Sequence, residues 1–177
     1  GAFIGAWNQL VYCLALCAGA RLGGREDGRS RTTFFFYWLT LANLLFGFAH
    51  HTYHLPQAPW IRWTGFAVSM TEGVVLAALL LEGARPWCAA DWRDLPARVL
   101  PRAFLAAGSV WACLNLVLAI AISVPAVQWF THGTQVTVAH AMGSTIGINT
   151  MILFAAGFLV LGSGEPMRPL LRGFAWV

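Results

Sequence analysis

The feature that most constrains this chain is a series of apolar runs, each about as long as a lipid bilayer is thick. A helix needs roughly 20 consecutive apolar residues to cross the hydrocarbon core. The sequence has five such runs, at about 2–21, 33–54, 60–83, 102–124 and 133–162. Only 10% of its residues are charged, whereas a soluble domain has about a quarter. Since lipid cannot satisfy free backbone groups, each run must be helical. The sequence therefore predicts an all-α, polytopic transmembrane bundle of about five helices.

The segments between the runs are rich in glycine, proline or charge, and they predict the connections of one bundle over residues 1–177. They read GGREDGRSR (23–31), LPQAP (55–59), ARPWCAADWRDLPARVLPR (84–102) and VPAVQWF (124–130). The chain begins at Gly1 without a signal-peptide pattern. Its last residues, 163–177, resemble a loop that enters another span. We therefore expect a fragment of a longer protein.

The positive charges lie near the predicted helix ends. All 11 basic residues are arginine, giving a net charge of +4. Ten of them fall in or beside the segments 23–31 and 84–102 and the tail 163–177, so the positive-inside rule places these three in the cytoplasm. This distribution accounts for the basic charge by membrane topology, and no nucleic-acid partner is expected.

The five histidines all fall toward the outer side of this predicted topology, on two helices. His50, His51 and His54 end the second predicted helix, while His132 and His140 lie near the start of the fifth. Neutral imidazole is a common ligand of iron, copper and zinc, and ionisable groups at membrane depth are costly and usually functional. Five histidines at one depth predict a haem or metal site, although a single one would more often be structural.

Glu72 is the other unusual side chain, because it lies in the middle of the third apolar run. One interpretation is an interhelical hydrogen bond to a serine, threonine or asparagine. The other is a proton carrier or a group beside the metal, since a carboxylate in an apolar helix is expensive to maintain without a function.

Two segments carry a family resemblance. GFAHHTYHLPQAPWIRWTGFAVSMTEGVVL (47–76) and THGTQVTVAHAMG (131–143) resemble the large cytochrome b subunit of bacterial nitric oxide reductase, within the haem–copper oxidase superfamily. That family has a His–His pair near one helix end, a glutamate on the next helix, and the pattern T-H-G-T-Q-[VI]-T-x-A-H-x-H. The resemblance covers nearly the whole chain.

The resemblance implies a role for each matched residue. His50 and His51 would bind a non-haem iron or copper, and His140 would be the axial ligand of a high-spin haem b facing that metal. Glu72 would assist proton delivery as a catalytic residue, and His132 would be structural or lie near the haem propionates. The implied reaction is nitric oxide reduction in a respiratory, denitrifying electron-transport chain of the bacterial inner membrane. The implied partners are a cytochrome c-type or quinol electron donor and a small second subunit.

The chain also departs from the family pattern. Met142 stands where the family has a second histidine for a low-spin haem, and residues two apart on a helix point roughly 200° apart. Methionine can ligate haem or simply fill apolar space. In the family, the helix that corresponds to residues 2–21 has two carboxylates where this chain has Ile4 and Asn8. The position of the family's third metal histidine would precede Gly1. Loss of a carboxylate favours copper. His54 would be an interfacial polar residue or a further ligand.

Other functions remain compatible with these residues. The chain could be a haem-binding electron-transfer protein, a divergent relative without activity, or an oxygen-reducing subunit of the same superfamily. A membrane hydroxylase is disfavoured, because its di-iron site needs about eight histidines and this chain has five.

Overall fold

A computed structural model describes residues 2–23, 31–46, 52–88 and 99–161. Its regular elements are all helical in these ranges: α1 (Ala2–Leu22), α2 (Arg31–Phe46), α3 (Pro59–Cys88), α4 (Val99–Ser123), α5 (Pro125–Thr131), α6 (Gln135–Met142), a π-helix (Gly143–Thr150) and α7 (Met151–Leu161). The last three are consecutive, so α6, the π-helix and α7 form one helical run. The all-α prediction is confirmed.

Helix α4 lies at the centre of the packing. It contacts α3, the π-helix and α7, while α1 packs against α3 and α7, and α2 packs against α3. The core is small and made of aliphatic side chains from α1, α4, the π-helix and α7: Val11, Ala18, Leu22, Leu105, Ala112, Ile148, Ile152 and Ala155. Many large apolar side chains of α4 remain exposed, among them Val110, Leu114 and Val117. Such an apolar exterior suits a helix that faces lipid.

Two described helices are long and apolar enough to cross a membrane, Val99–Ser123 and the continuous run Gln135–Leu161. The predicted runs 2–21 and 102–124 correspond closely to α1 and α4. The predicted run 33–54 was wrong at its end, because residues 53–58 lie in turns and an irregular segment. The run 60–83 was too short, since α3 continues to Cys88. Apolarity marks the thickness of the bilayer, whereas a helix continues as long as its backbone hydrogen bonds are made.

The segment 124–130, predicted as a loop, instead contains the short helix α5. Pro125 opens it, which suits proline because the first helical N–H has no partner within the helix. Gly133, with φ of 75°, makes the turn that follows, a conformation that glycine adopts without strain. Thr134 then caps α6 by accepting a hydrogen bond from the Val136 N–H at 3.3 Å. The fifth predicted run therefore begins at a defined break.

Arg102, at the boundary between the predicted connection 84–102 and the predicted run 102–124, lies in the first turns of α4 and is only 3% exposed. Its guanidinium donates a hydrogen bond to the carbonyl of Leu22, at the end of α1, over 3.5 Å. A cation at a helix C-terminus is favourable, because the last carbonyls have no partner within the helix. The charge therefore joins two helix ends.

Candidate functional site

His140 lies on α6 and is half-buried against the middle of α4. Its ring Nδ1 is 3.1 Å from Oδ1 of Asn115. The amide nitrogen of Asn115 donates to the Ser144 hydroxyl at 2.7 Å. Asn115 is 6% exposed, so this connection is sheltered from water. The imidazole is thereby held from one side by a neighbouring helix.

The small residues after His140 allow α4 to approach very closely. A Cβ added to Gly143 would lie 2.8 Å from Asn115 Oδ1, and one added to Gly147 would lie 2.5 Å from Trp111 Cδ2. In the structure, Gly143 and Gly147 accommodate α4, in the manner of small residues at membrane helix contacts.

The π-helix was not predicted from the sequence. It spans eight residues, Gly143–Thr150, starting three positions after His140. With its amide nitrogen facing Ser144 O at 3.3 Å, Asn149 accepts a hydrogen bond from Trp7 Nε1 at 2.9 Å. Segments of π-helix are uncommon and often occur at functional sites. The one local signal is the run GSTIGINT, whose glycine, serine, threonine and asparagine are weaker helix formers than alanine or leucine.

His132 contacts another histidine. Its ring stacks on that of His54, with centroids 4.0 Å apart and planes at 21°. Both side chains are exposed. The contact brings the segment before α3 against the turn between α5 and α6. The pairing was not predicted, because it joins residues far apart in the sequence.

The structure describes the backbone of Glu72 but not its side chain. The neighbouring Gly73 is buried, and a Cβ added there would lie 3.5 Å from Ile120 and 3.6 Å from Leu116, both on α4. Asn115, which bonds His140, precedes Leu116 on that helix. Gly73 of α3 and His140 of α6 therefore lie against neighbouring positions of α4.

The other predicted ligands are only partly covered. His50 and His51 lie outside the described residues. Met142 is 50% exposed. Within the described ranges, no group of three or more His, Cys, Asp or Glu side chains is arranged to hold a metal ion. The second metal site therefore stays a prediction.

Tyr53 precedes the stacked histidine and is almost fully buried between the second and third helices in the sequence. Burial raises the pKa of its phenol. The side chain is therefore neutral at physiological pH, and it anchors the segment that presents His54.

The sequence model of the family Cytochrome C and Quinol oxidase polypeptide I matches residues 20–170. The match covers most of the 177 residues. The chain belongs to this family. Members of the oxidase polypeptide I family are integral membrane oxidoreductases that bind haem and metal centres. No curated protein and no solved structure gave a significant match to the chain.

The residues around His140 fit a haem of the kind that this family binds. A neutral imidazole has one N–H and one lone pair. When Nδ1–H is donated to Asn115 Oδ1, the lone pair is on Nε2. In the described part of the chain, Nε2 makes no hydrogen bond. The arrangement is the one in which histidine ligands are usually held, with the second ring nitrogen bonded to an acceptor.

Proposed function

We propose that this chain is part of a nitric oxide reductase, in which a haem and a non-haem metal lie side by side in the membrane. The reaction joins two nitric oxide molecules, with two electrons and two protons, to give nitrous oxide and water. When bound, the haem and the metal would supply the redox chemistry at this site, with the two electrons coming from an external donor. The proposal is finer than the family assignment, and it depends on the THGTQVTVAH segment together with the geometry of His140.

The single observation that carries the proposal is the orientation of His140. The ring Nδ1 is hydrogen-bonded to the buried amide of Asn115 on α4, which leaves Nε2 as the ligand atom. Any buried imidazole needs such a partner; what singles out His140 is that its Nε2 makes no hydrogen bond within the described residues. In this proposal, His140 would hold the high-spin haem b through Nε2.

His50 and His51 hold the non-haem iron or copper in this proposal. They precede the described segment that presents His54, and His54 stacks on His132. His132 lies at the end of α5, eight positions before His140 of α6. The stacked pair supports the proposal because His54 follows His51 by three residues in the sequence and lies against the turn before the helix that carries His140. His132 has a structural role in this arrangement.

Glu72 delivers protons to the centre. Its support is its level in the bundle, since Gly73 beside it contacts the part of α4 that follows Asn115. A carboxylate at this depth can accept a proton from one side and release it on the other. Met142 is the proposed ligand of a second, low-spin haem, which would receive electrons from a cytochrome c-type or quinol donor in the bacterial inner membrane.

Oxygen reduction is the second candidate, and the family match itself favours it, because the family is described by its cytochrome c and quinol oxidases. The same ligands could serve either diatomic substrate. Purified protein supplied with a reductant distinguishes the two by its product and its consumption: nitrous oxide from nitric oxide, or the uptake of oxygen.

The decisive test of the haem ligand is His140→Ala in the full-length protein, with Met142→Ala as the control on the same helix. We expect His140→Ala to remove the haem that binds carbon monoxide when reduced, because only a five-coordinate haem has an open position. Met142→Ala should leave that haem in place and alter only a low-spin signal. Carbon monoxide difference spectra and haem content measure both. An unchanged spectrum for His140→Ala would refute the assignment.

A further inference from the structure

We propose that Asn115 is a positioning residue that fixes the tautomer and the orientation of the His140 ring. The inference rests on the proposed function of His140 as a haem ligand. It adds a residue on a different helix, α4, that would control the haem affinity of His140 and the electron donation from its imidazole to the iron.

The geometry isolates Asn115 as the partner of the ring. Its Oδ1 is 3.1 Å from His140 Nδ1, and among the described residues it is the group that hydrogen-bonds this imidazole. The Asn115 amide nitrogen is occupied by the Ser144 hydroxyl at 2.7 Å. With its nitrogen turned to Ser144, the amide presents its oxygen to the ring. An oxygen acceptor requires the proton to be on Nδ1.

The surroundings prevent the amide from turning away. Asn115 is 6% exposed, and Gly143 leaves only enough space for its oxygen, since a Cβ there would lie 2.8 Å from Oδ1. Gly143 and Ser144 both belong to the π-helix. Both residues that contact Asn115 therefore lie in the first turn of the π-helix.

The consequence for the haem follows from the strength of the acceptor. A hydrogen bond at Nδ1 fixes the tautomer and raises the basicity of the ligating nitrogen. A neutral amide is a moderate acceptor, whereas a carboxylate forms a charge-assisted bond of roughly twice the strength. Increased electron donation by the imidazole stabilises the oxidised iron. The haem potential should therefore depend on residue 115. It should be lowest with a carboxylate acceptor, intermediate with the asparagine amide, and highest with no acceptor.

The experiment uses the full-length, haem-loaded protein with two substitutions, Asn115→Leu and Asn115→Asp. Resonance Raman spectroscopy of the reduced protein reports the iron–imidazole stretch, and a redox titration reports the midpoint potential. We expect Asn115→Asp to raise the stretching frequency and lower the potential. Asn115→Leu should do the opposite and weaken haem binding by about 10- to 100-fold, as removal of such partners commonly does.

The control is Asn149→Leu, which removes a second buried asparagine of the same region. Asn149 bonds the backbone carbonyl of Ser144 and the indole N–H of Trp7, and it does not bond His140. It should leave the stretch and the potential unchanged. If Asn115→Leu does not fold, Gly143→Ala provides the same test, because the added methyl group displaces the Asn115 oxygen from the ring.

Two results would separate the possible errors. If His140→Ala loses the haem but the Asn115 and Gly143 variants keep the wild-type stretch and potential, the inference about Asn115 is wrong and the haem ligand stands. If His140→Ala retains the haem with its native spectrum, the proposed function fails first. Opposite shifts for Asp and Leu at position 115 would support the inference, since loss of packing alone does not reverse sign with the charge of the acceptor.

Discussion

Replacement of Gly147 by alanine should destabilise the protein by overpacking the contact between α4 and the π-helix. The new Cβ would lie 2.5 Å from Cδ2 and 2.6 Å from Cγ of Trp111, whereas carbon atoms make their best contact at about 3.5–4.0 Å. The two helices must therefore separate locally by about 1 Å, or the indole must move. Cγ is attached directly to Cβ of Trp111, so rotation of the distal ring cannot clear the contact.

The expected cost in the free energy of unfolding is about 1–3 kcal/mol, the usual range for an extra methylene in a packed core. In soluble proteins of this size, each kcal/mol lowers Tm by about 2–4 °C. Thermal unfolding in detergent, followed by far-ultraviolet circular dichroism, measures the change. The same separation should reduce haem content, because His140 lies two turns before Gly147 on the continuous helical run.

Gly157→Ala is the matched control, since an added Cβ there meets nothing within 4 Å. Alanine is favoured over glycine in a helix by about 0.8–1.0 kcal/mol, so this variant should be as stable as the wild type or slightly more so. A double variant with Trp111→Leu should recover part of the loss, with a coupling energy above about 0.5 kcal/mol. If Gly147→Ala is as stable as Gly157→Ala, the close packing of α4 on the π-helix is refuted.

Three further predictions concern the chemistry and the topology. His50→Ala and His51→Ala should each abolish turnover while haem content stays nearly normal. The reason is that removal of one of few ligands destroys metal affinity without unfolding a large bundle. Loss of all haem in both variants, measured by its absorbance, would instead make the pair haem ligands. Glu72→Gln keeps the shape but cannot carry a proton, so turnover should fall strongly with an intact haem spectrum, whereas unchanged turnover across pH 6–8 would leave Glu72 a packing residue. A cysteine in place of Asp27 should react with a membrane-impermeant thiol reagent only from the cytoplasmic side, and labelling from the periplasm alone would reverse the proposed orientation.

The sequence by itself determined the class of this protein. Apolar runs of bilayer length leave helices as the backbone structure available to them, and α1 and α4 began and ended close to where those runs did. The THGTQVTVAH segment indicated the superfamily that the family match confirmed at the level of the oxidase polypeptide I family. Both signals are local, because hydropathy and a short motif are properties of neighbouring residues.

The tertiary structure decided which residues meet. Asn115 and His140 are 25 positions apart, and His54 and His132 belong to different helices' ends; neither pair has a spacing that predicts contact. The π-helix and the burial of Arg102 were likewise absent from the pattern. The apolarity of a segment predicts that it inserts into the membrane as a helix. It does not determine the rotation of that helix about its own axis or its depth in the bilayer. Those two variables are fixed by close packing at Gly143 and Gly147 and by buried hydrogen bonds between helices, and they place the His140 ring.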